Sequence, residues 1–357
     1  MINFFVGTLY YFEGHKNHRK RGCIDKKINK NIDISSTKII ERGVALKRIW
    51  FLAVFLLIAV LAGCGGKEDA ATKDAEDKKS GQSYTVVDGR GVEIEFEKAP
   101  EKVISLQPSN TEILFALGVG DKVIGVTEYD NWPEKVKDIE KVGSPTSFNV
   151  ERIVELNPDV IFAYTMGGEE QVKQLEEAGL KVFVIQSPSS VEDVYKDINQ
   201  IAQAMGVEDK GKELVENIKG QLAALKEKTD KIIQKKRVYF EIAPAPDIWT
   251  MGSGTFQQEL IETAGVENIY ADQKGWFSVT EEDIINRNPE VIITTVNYVD
   301  NPAGEIKSRQ GWESIKAIKD GAVYELQADL LDRPGPRIAE AAELLAKTIY
   351  PEIFEKQ

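Results

Sequence analysis

Val150-Glu151-Arg152-Ile153-Val154-Glu155-Leu156-Asn157-Pro158-Asp159-Val160-Ile161-Phe162 is the stretch on which the fold turns. Asn149 stands before it as a helix cap, Pro158 stops the helix, and the apolar residues after Pro158 read as a short buried strand. The same phrase returns as Glu281-Glu282-Asp283-Ile284-Ile285-Asn286-Arg287-Asn288-Pro289-Glu290-Val291-Ile292-Ile293, with Asn157 opposite Asn288. A second stretch repeats in the same order. The residues from Asn110 to Val119 match those from Gln257 to Val266, placing Glu112 opposite Glu259 and Gly118 opposite Gly265. Two collinear matches predict two related lobes.

Short β-branched runs predict strands at 84–87, 92–96, 103–106, 123–126, 160–163 and 182–185. Helices are expected between them, over 111–117 behind a Ser109 or Asn110 cap, over 150–156 and over 167–178. Strand-helix alternation implies a parallel sheet with helices on its faces. From 191 to 235 there is no Pro, and Val194, Ile198, Ile201, Met205, Leu214, Ile218, Leu222 and Leu225 keep helical spacing. That segment predicts a strut of about 60 Å at 1.5 Å per residue, with Gly206 and Gly211 as the candidate kinks. Strands resume at 238–242, 291–295 and 322–326, and a last helix is expected over 336–349. The fold class is therefore α/β: two Rossmann-like α/β lobes (84–189 and 236–357) joined by a single long linker helix (190–235).

Ahead of the body, Leu61-Ala62-Gly63-Cys64 follows an uncharged run over 49–60, which follows Lys47-Arg48. Basic residues, a short apolar run, small residues and Cys form a lipoprotein signal, cleaved before Cys64, whose thiol then carries lipid. The run is short of the roughly 20 residues that a membrane-spanning helix needs. Residues 65–83 hold no large apolar side chain, so 64–83 reads as a lipidated Cys and flexible tether. Residues 1–63 read as a signal peptide behind an N-terminal extension, with translation expected to begin at Val44. This places the body outside the bacterial cell membrane, held there by lipid alone.

Residues 1–63 carry 11 Lys/Arg and 4 Asp/Glu. The remaining chain therefore holds 34 basic against 54 acidic residues, a net −20. Such a surface excludes nucleic acid as a partner. Both histidines, His15 and His18, and the second cysteine, Cys23, precede Cys64. From Cys64 onward the chain has no His-based triad, no Cys-His pair, no His-ligated metal and no disulfide. A carboxylate pair such as Asp130 and Asp332 is the remaining route to hydrolysis, and nothing sets one apart as the acid. The chain is expected not to be an enzyme and to carry no cofactor.

Two facing lobes enclose a cleft, the usual place for a ligand. Aromatic loops at predicted strand ends nominate Tyr129, Trp132, Tyr164, Trp249 and Phe277, and Arg333 adds a guanidinium fork. Ile104 to Glu112, Asn149 to Asp159, Ala264 to Ile269 and Arg333-Pro334-Gly335-Pro336-Arg337 resemble the class III solute-binding proteins of ABC importers. Within that family the chain is most similar to cobalamin binders, through Ser109-Asn110-Thr111-Glu112 and Glu128-Tyr129-Asp130-Asn131-Trp132-Pro133. The resemblance implies that Glu112 and Glu259 dock onto a permease dimer served by ATPase subunits. It implies that the six nominated residues line the cleft, and that the ligand is cobalamin or a related corrinoid. The alternative is a ferric hydroxamate siderophore or haem. The metal would belong to the ligand, with no protein side chain coordinating it. The chain departs from the cobalamin binders at Leu330 and Leu331, where they carry aromatics.

Overall fold

The computed structural model describes residues 83–354, apart from 146 and 166–168. Cys64, the signal and almost all of the tether lie outside the described residues. Lobe 1 begins with an antiparallel hairpin, β1 (Tyr84–Val87) and β2 (Glu93–Phe96). Its main strands are β3 (Val103–Ser105), β4 (Val123–Val126) and β5 (Glu140–Lys141). After a small hairpin, β6 (Gly143–Ser144) and β7 (Ser147–Phe148), come β8 (Val160–Tyr164) and β9 (Val182–Ile185). The five main strands run parallel in the order β5-β4-β3-β8-β9. β8 and β9 are buried along their whole length, as parallel strands covered on both faces are.

Helices α1 (Pro108–Ala116), α2 (Val150–Leu156) and α3 (Glu169–Glu177) connect these strands. Helix α4 (Val191–Ala204) closes the lobe, and α5 (Glu208–Thr229) leads out of it. Lobe 2 holds β10 (Arg237–Glu241), β11 (Trp249–Met251), α6 (Phe256–Thr263), β12 (Glu267–Asn268) and β13 (Trp276–Ser278). It continues with α7 (Glu281–Arg287), β14 (Val291–Thr294), α8 (Pro302–Ser308), α9 (Lys316–Lys319) and β15 (Val323–Glu325). It ends through α10 (Ala328–Leu331), α11 (Ile338–Ile349) and the short α12 (Pro351–Phe354). Its sheet is parallel in the order β12-β10-β14-β15.

The repeat read from sequence is a structural repeat. Asn149 accepts the Arg152 N–H at the start of α2, and Thr280 accepts the Asp283 N–H at the start of α7. Both helices end on a left-handed asparagine, Asn157 at φ 48° and Asn288 at φ 46°. Asn reaches that region because its short polar side chain bonds locally. Proline follows each, and a strand of the sheet begins two residues later.

Two expectations fail. The predicted strut is two helices, broken at Met205–Val207 by Gly206 at φ +68°. The Tyr84 hydroxyl donates to the Ala204 carbonyl at 2.9 Å, fixing the break against β1. Helix α4 packs on α1 and β1, so it belongs to lobe 1. The 22-residue α5 alone is the connection, about 33 Å long. Gly211 lets α5 lie close on α4, because a Cβ there would stand 2.5 Å from the Ala202 Cβ. The second failure is α1, which starts at Pro108 rather than behind a Ser109 or Asn110 cap. One apolar core spans both lobes, running from Val103 and Phe162 through Ile198, Ile218 and Leu225 to Phe240, Leu260 and Leu345.

Candidate functional site

The two lobes meet where the loop after β4 touches the segment around α10. Within the loop, Asp130 accepts the Thr127 N–H at 2.9 Å and the Thr127 hydroxyl at 2.5 Å. The Lys141 ammonium donates to the Asp130 and Val136 carbonyls. This folds the loop back on itself and leaves Trp132 half-exposed at its tip, at 50%. Burial raises the Asp130 pKa, and the hydroxyls of Thr111 and Thr127 hold it down.

Across from this loop stand Arg333 and Arg337. Arg333 Nη1 donates to Glu112 Oε1 at 3.0 Å and to Asn131 Oδ1 at 2.9 Å. Its Nη2 donates to the Tyr129 carbonyl at 3.0 Å and to Asp329 Oδ1 at 2.8 Å. Arg337 grips the same Glu112 with Nε at 2.8 Å and Nη2 at 2.6 Å, and stacks on the Trp132 ring 4.9 Å from its centroid. Asn131 Nδ2 donates to Asp329 Oδ2 at 2.5 Å. The Glu112 side chain is 2% exposed.

The family resemblance puts Glu112 on the permease-facing surface, and the structure corrects this. Glu112 is buried, because the whole first turn of α1 is buried and two guanidiniums from lobe 2 close over its carboxylate. Glu259 is half-buried, and its Oε2 accepts the Val191 N–H at 2.9 Å, at the first residue of α4. Each glutamate of the repeat therefore reaches across to the other lobe. The exposed matched acids lie one element away: Glu151 on α2 and Glu282 on α7, both in the first helical turn. The sequence repeat sets these two opposite each other. They do not stand out there, because first-turn acids are common helix-dipole complements.

Of the six nominated cleft residues, Tyr129, Trp132 and Arg333 come together at this seam. Arg337, Asn131 and Asp329 complete it and are not among the nominated residues. Trp249 and Phe277 are half-buried on the two-stranded antiparallel sheet of β11 and β13, where the Phe277 ring meets Tyr270 edge-on at 5.6 Å. Tyr164 does not line a cleft. It is 6% exposed at the end of β8, and its hydroxyl donates to Ser187 Oγ at 3.0 Å.

Burial and the nearby Asp197 carboxylate push the Tyr164 pKa upward. Asp197 sits 5% exposed on α4, and burial, then the like charge of Asp193, raise its pKa from 3.8 to about 8. The folded chain thus keeps a proton there that the unfolded chain loses above pH 3.8, so stability falls as pH rises from 3.8 to about 8. Asp197→Asn is expected to raise the unfolding free energy at pH 8 and to give no gain below pH 4. Urea denaturation across that range checks it. Equal effects at both ends would sink it. Asp332 behaves in the same sense: burial lifts it to about 7, against the Thr295 hydroxyl and the Gln257 amide.

The family model described as periplasmic binding protein matches residues 103–330. The chain belongs to the periplasmic binding protein family. This periplasmic binding protein is 40% identical over 316 residues to the uncharacterized ABC transporter substrate-binding lipoprotein YvrC of Bacillus subtilis (strain 168), covering 87% of this chain and 99% of that one. It is 35% identical to the vitamin B12-binding protein of Salmonella paratyphi A, covering 70% and 91%. A crystal structure of a possible iron-binding periplasmic solute-binding protein from Staphylococcus epidermidis superposes with a TM-score of 0.65 at 34% identity, covering 71% of this chain and all of that one. Periplasmic binding proteins bind solutes and are not enzymes. Asp130 is buried and held by the Thr127 N–H and hydroxyl of its own loop, while Asp332 belongs to the other lobe, beside Arg333 in sequence.

Proposed function

We propose that this chain is the receptor of an ABC importer and that its ligand is cobalamin or a related corrinoid. The seam carries the reading. It offers the aromatic surface of Tyr129 and Trp132 beside two arginines whose charge Glu112 and Asp329 already meet. A large chelate without net charge suits such a rim, because it gains apolar and aromatic contact and asks for no free cation. The vitamin B12-binding relative from Salmonella supports the same ligand. A neutral ferric hydroxamate meets the same rim, and the similarity to a possible iron-binding protein of Staphylococcus favours that second reading. In either case the metal arrives inside the ligand.

In this reading lipid on Cys64 holds the receptor at the membrane, and a permease dimer with its ATPase subunits takes the ligand from it. Glu151 and Glu282 are the docking acids, one per lobe, exposed and related by the repeat. Titrating the purified protein with cyanocobalamin and with a ferric hydroxamate, followed by tryptophan quenching, separates the ligands. Saturation by cyanocobalamin at sub-micromolar concentration is expected, with no response to the hydroxamate. The reverse pattern would replace the corrinoid by the iron chelate.

A further inference from the structure

The seam does more than join the lobes. All four Nη hydrogens of Arg333 have protein acceptors: Glu112, Asn131, the Tyr129 carbonyl and Asp329. Arg337 spends its Nε and Nη2 on Glu112, and its flat face lies on Trp132. Glu112, with Asp329 on Arg333, therefore neutralises two guanidiniums that would otherwise be a ready receptor for anions. Glu112 also ties the Tyr129–Trp132 loop of lobe 1 to lobe 2, since both arginines that bind it also hold that loop.

We propose that Glu112 is a specificity-determining residue: by occupying Arg333 and Arg337 it fixes the aromatic rim and closes the cleft to anionic chelates. This role rests on the reading of the rim as a corrinoid site. It acts by exclusion, so it concerns what the receptor refuses as much as what it takes. With Glu112 neutral, Asp329 is left to answer two guanidiniums, and the seam gains one positive charge. A trianionic ligand then has a partner inside the cleft, while a neutral one loses only the order of the rim.

The test uses two bulky probes of opposite electrostatic demand, cyanocobalamin and the trianionic ferric tris-catecholate complex. Both are titrated into the wild type, Glu112→Gln, and Glu112→Gln with Arg337→Gln. The wild type is expected to exclude the tris-catecholate. Glu112→Gln should gain at least about tenfold affinity for it. The double variant should lose that gain, because it restores the charge balance while leaving the seam as loose. Glu112→Asp keeps the charge on a shorter stem and should discriminate as the wild type does. Glu112→Ser stands in if the Gln variant does not fold, judged by circular dichroism. An unchanged tris-catecholate affinity in folded Glu112→Gln overturns the proposal, as does a gain that survives in the double variant. Failure of the wild type to bind cyanocobalamin would overturn the corrinoid reading alone, because the ratio of variant to wild type on the anionic probe still decides the role of Glu112.

Discussion

Arg309→Leu is expected to lower the unfolding free energy by about 3–5 kcal/mol, the cost of leaving a buried charge unpaired. Glu241 is 1% exposed at the end of β10, and Arg309 Nη1 and Nη2 clasp its two oxygens at 2.6 and 2.8 Å. Arg309 also bonds Glu305 and stacks on Trp312, 4.6 Å from the ring centroid. The Tyr239 hydroxyl donates to the same carboxylate at 3.1 Å. Burial raises the Glu241 pKa, and Arg309 is the main force holding it down. Without the guanidinium, Glu241 would stay protonated in the fold to higher pH. The loss should therefore be larger at pH 8 than at pH 5, since the unfolded chain ionises first. Glu241→Leu combined with Arg309→Leu should recover much of the loss, because an apolar pair of similar volume is often tolerated where one charge alone is not. Urea denaturation of the single and double variants tests this. A single-variant loss below about 1 kcal/mol, the range of an exposed ion pair, would mean that water reaches the pair.

Glu151→Arg with Glu282→Arg should take ligand uptake by cells to background while leaving ligand affinity unchanged. Both acids are exposed, belong to helices that carry none of the seam residues and have matched positions on α2 and α7. Their effect on the fold is small, about 0.3–1 kcal/mol each as helix-dipole complements. Across a docked interface, a close charge pair loses about 2–5 kcal/mol when one partner is removed, and reversal adds repulsion. Uptake of radiolabelled corrinoid by cells, set beside binding by the purified variant, checks the pair. Wild-type uptake in the double variant would remove these acids from the docking surface. Lost binding would show that the cleft had been disturbed instead.

The local grammar of this fold is legible in the sequence. Caps, prolines and β-branched runs place most strands of the two sheets, and the twin Asn-Pro phrases locate the repeat. The linker misleads because both halves keep helical spacing and no Pro separates them, although the apolar stripe jumps by about half a turn between Met205 and Leu214. Gly206 and that jump in phase mark the break, and the fold-back is set by Tyr84 and Ala202, whose contacts are made in space and leave no trace in the pattern. Glu112 misleads for a similar reason. Its neighbours Ser109, Asn110 and Thr111 look like an exposed helix start, and the arginines that bury it lie more than two hundred residues further on. Tyr164 shows the converse: an aromatic at a strand end looks like ligand surface until Ser187 claims its hydroxyl.

The twin left-handed asparagines, Asn157 and Asn288, carry a further consequence. Asparagines in exposed turns age by deamidation, in which the backbone nitrogen of the next residue attacks the side-chain amide. Here the next residues are Pro158 and Pro289, which have no N–H to give up. The two caps that hold each lobe's repeat in register are shielded from that decay by the same prolines that stop the helices. The Asn-Pro pair is a joint that such ageing does not open.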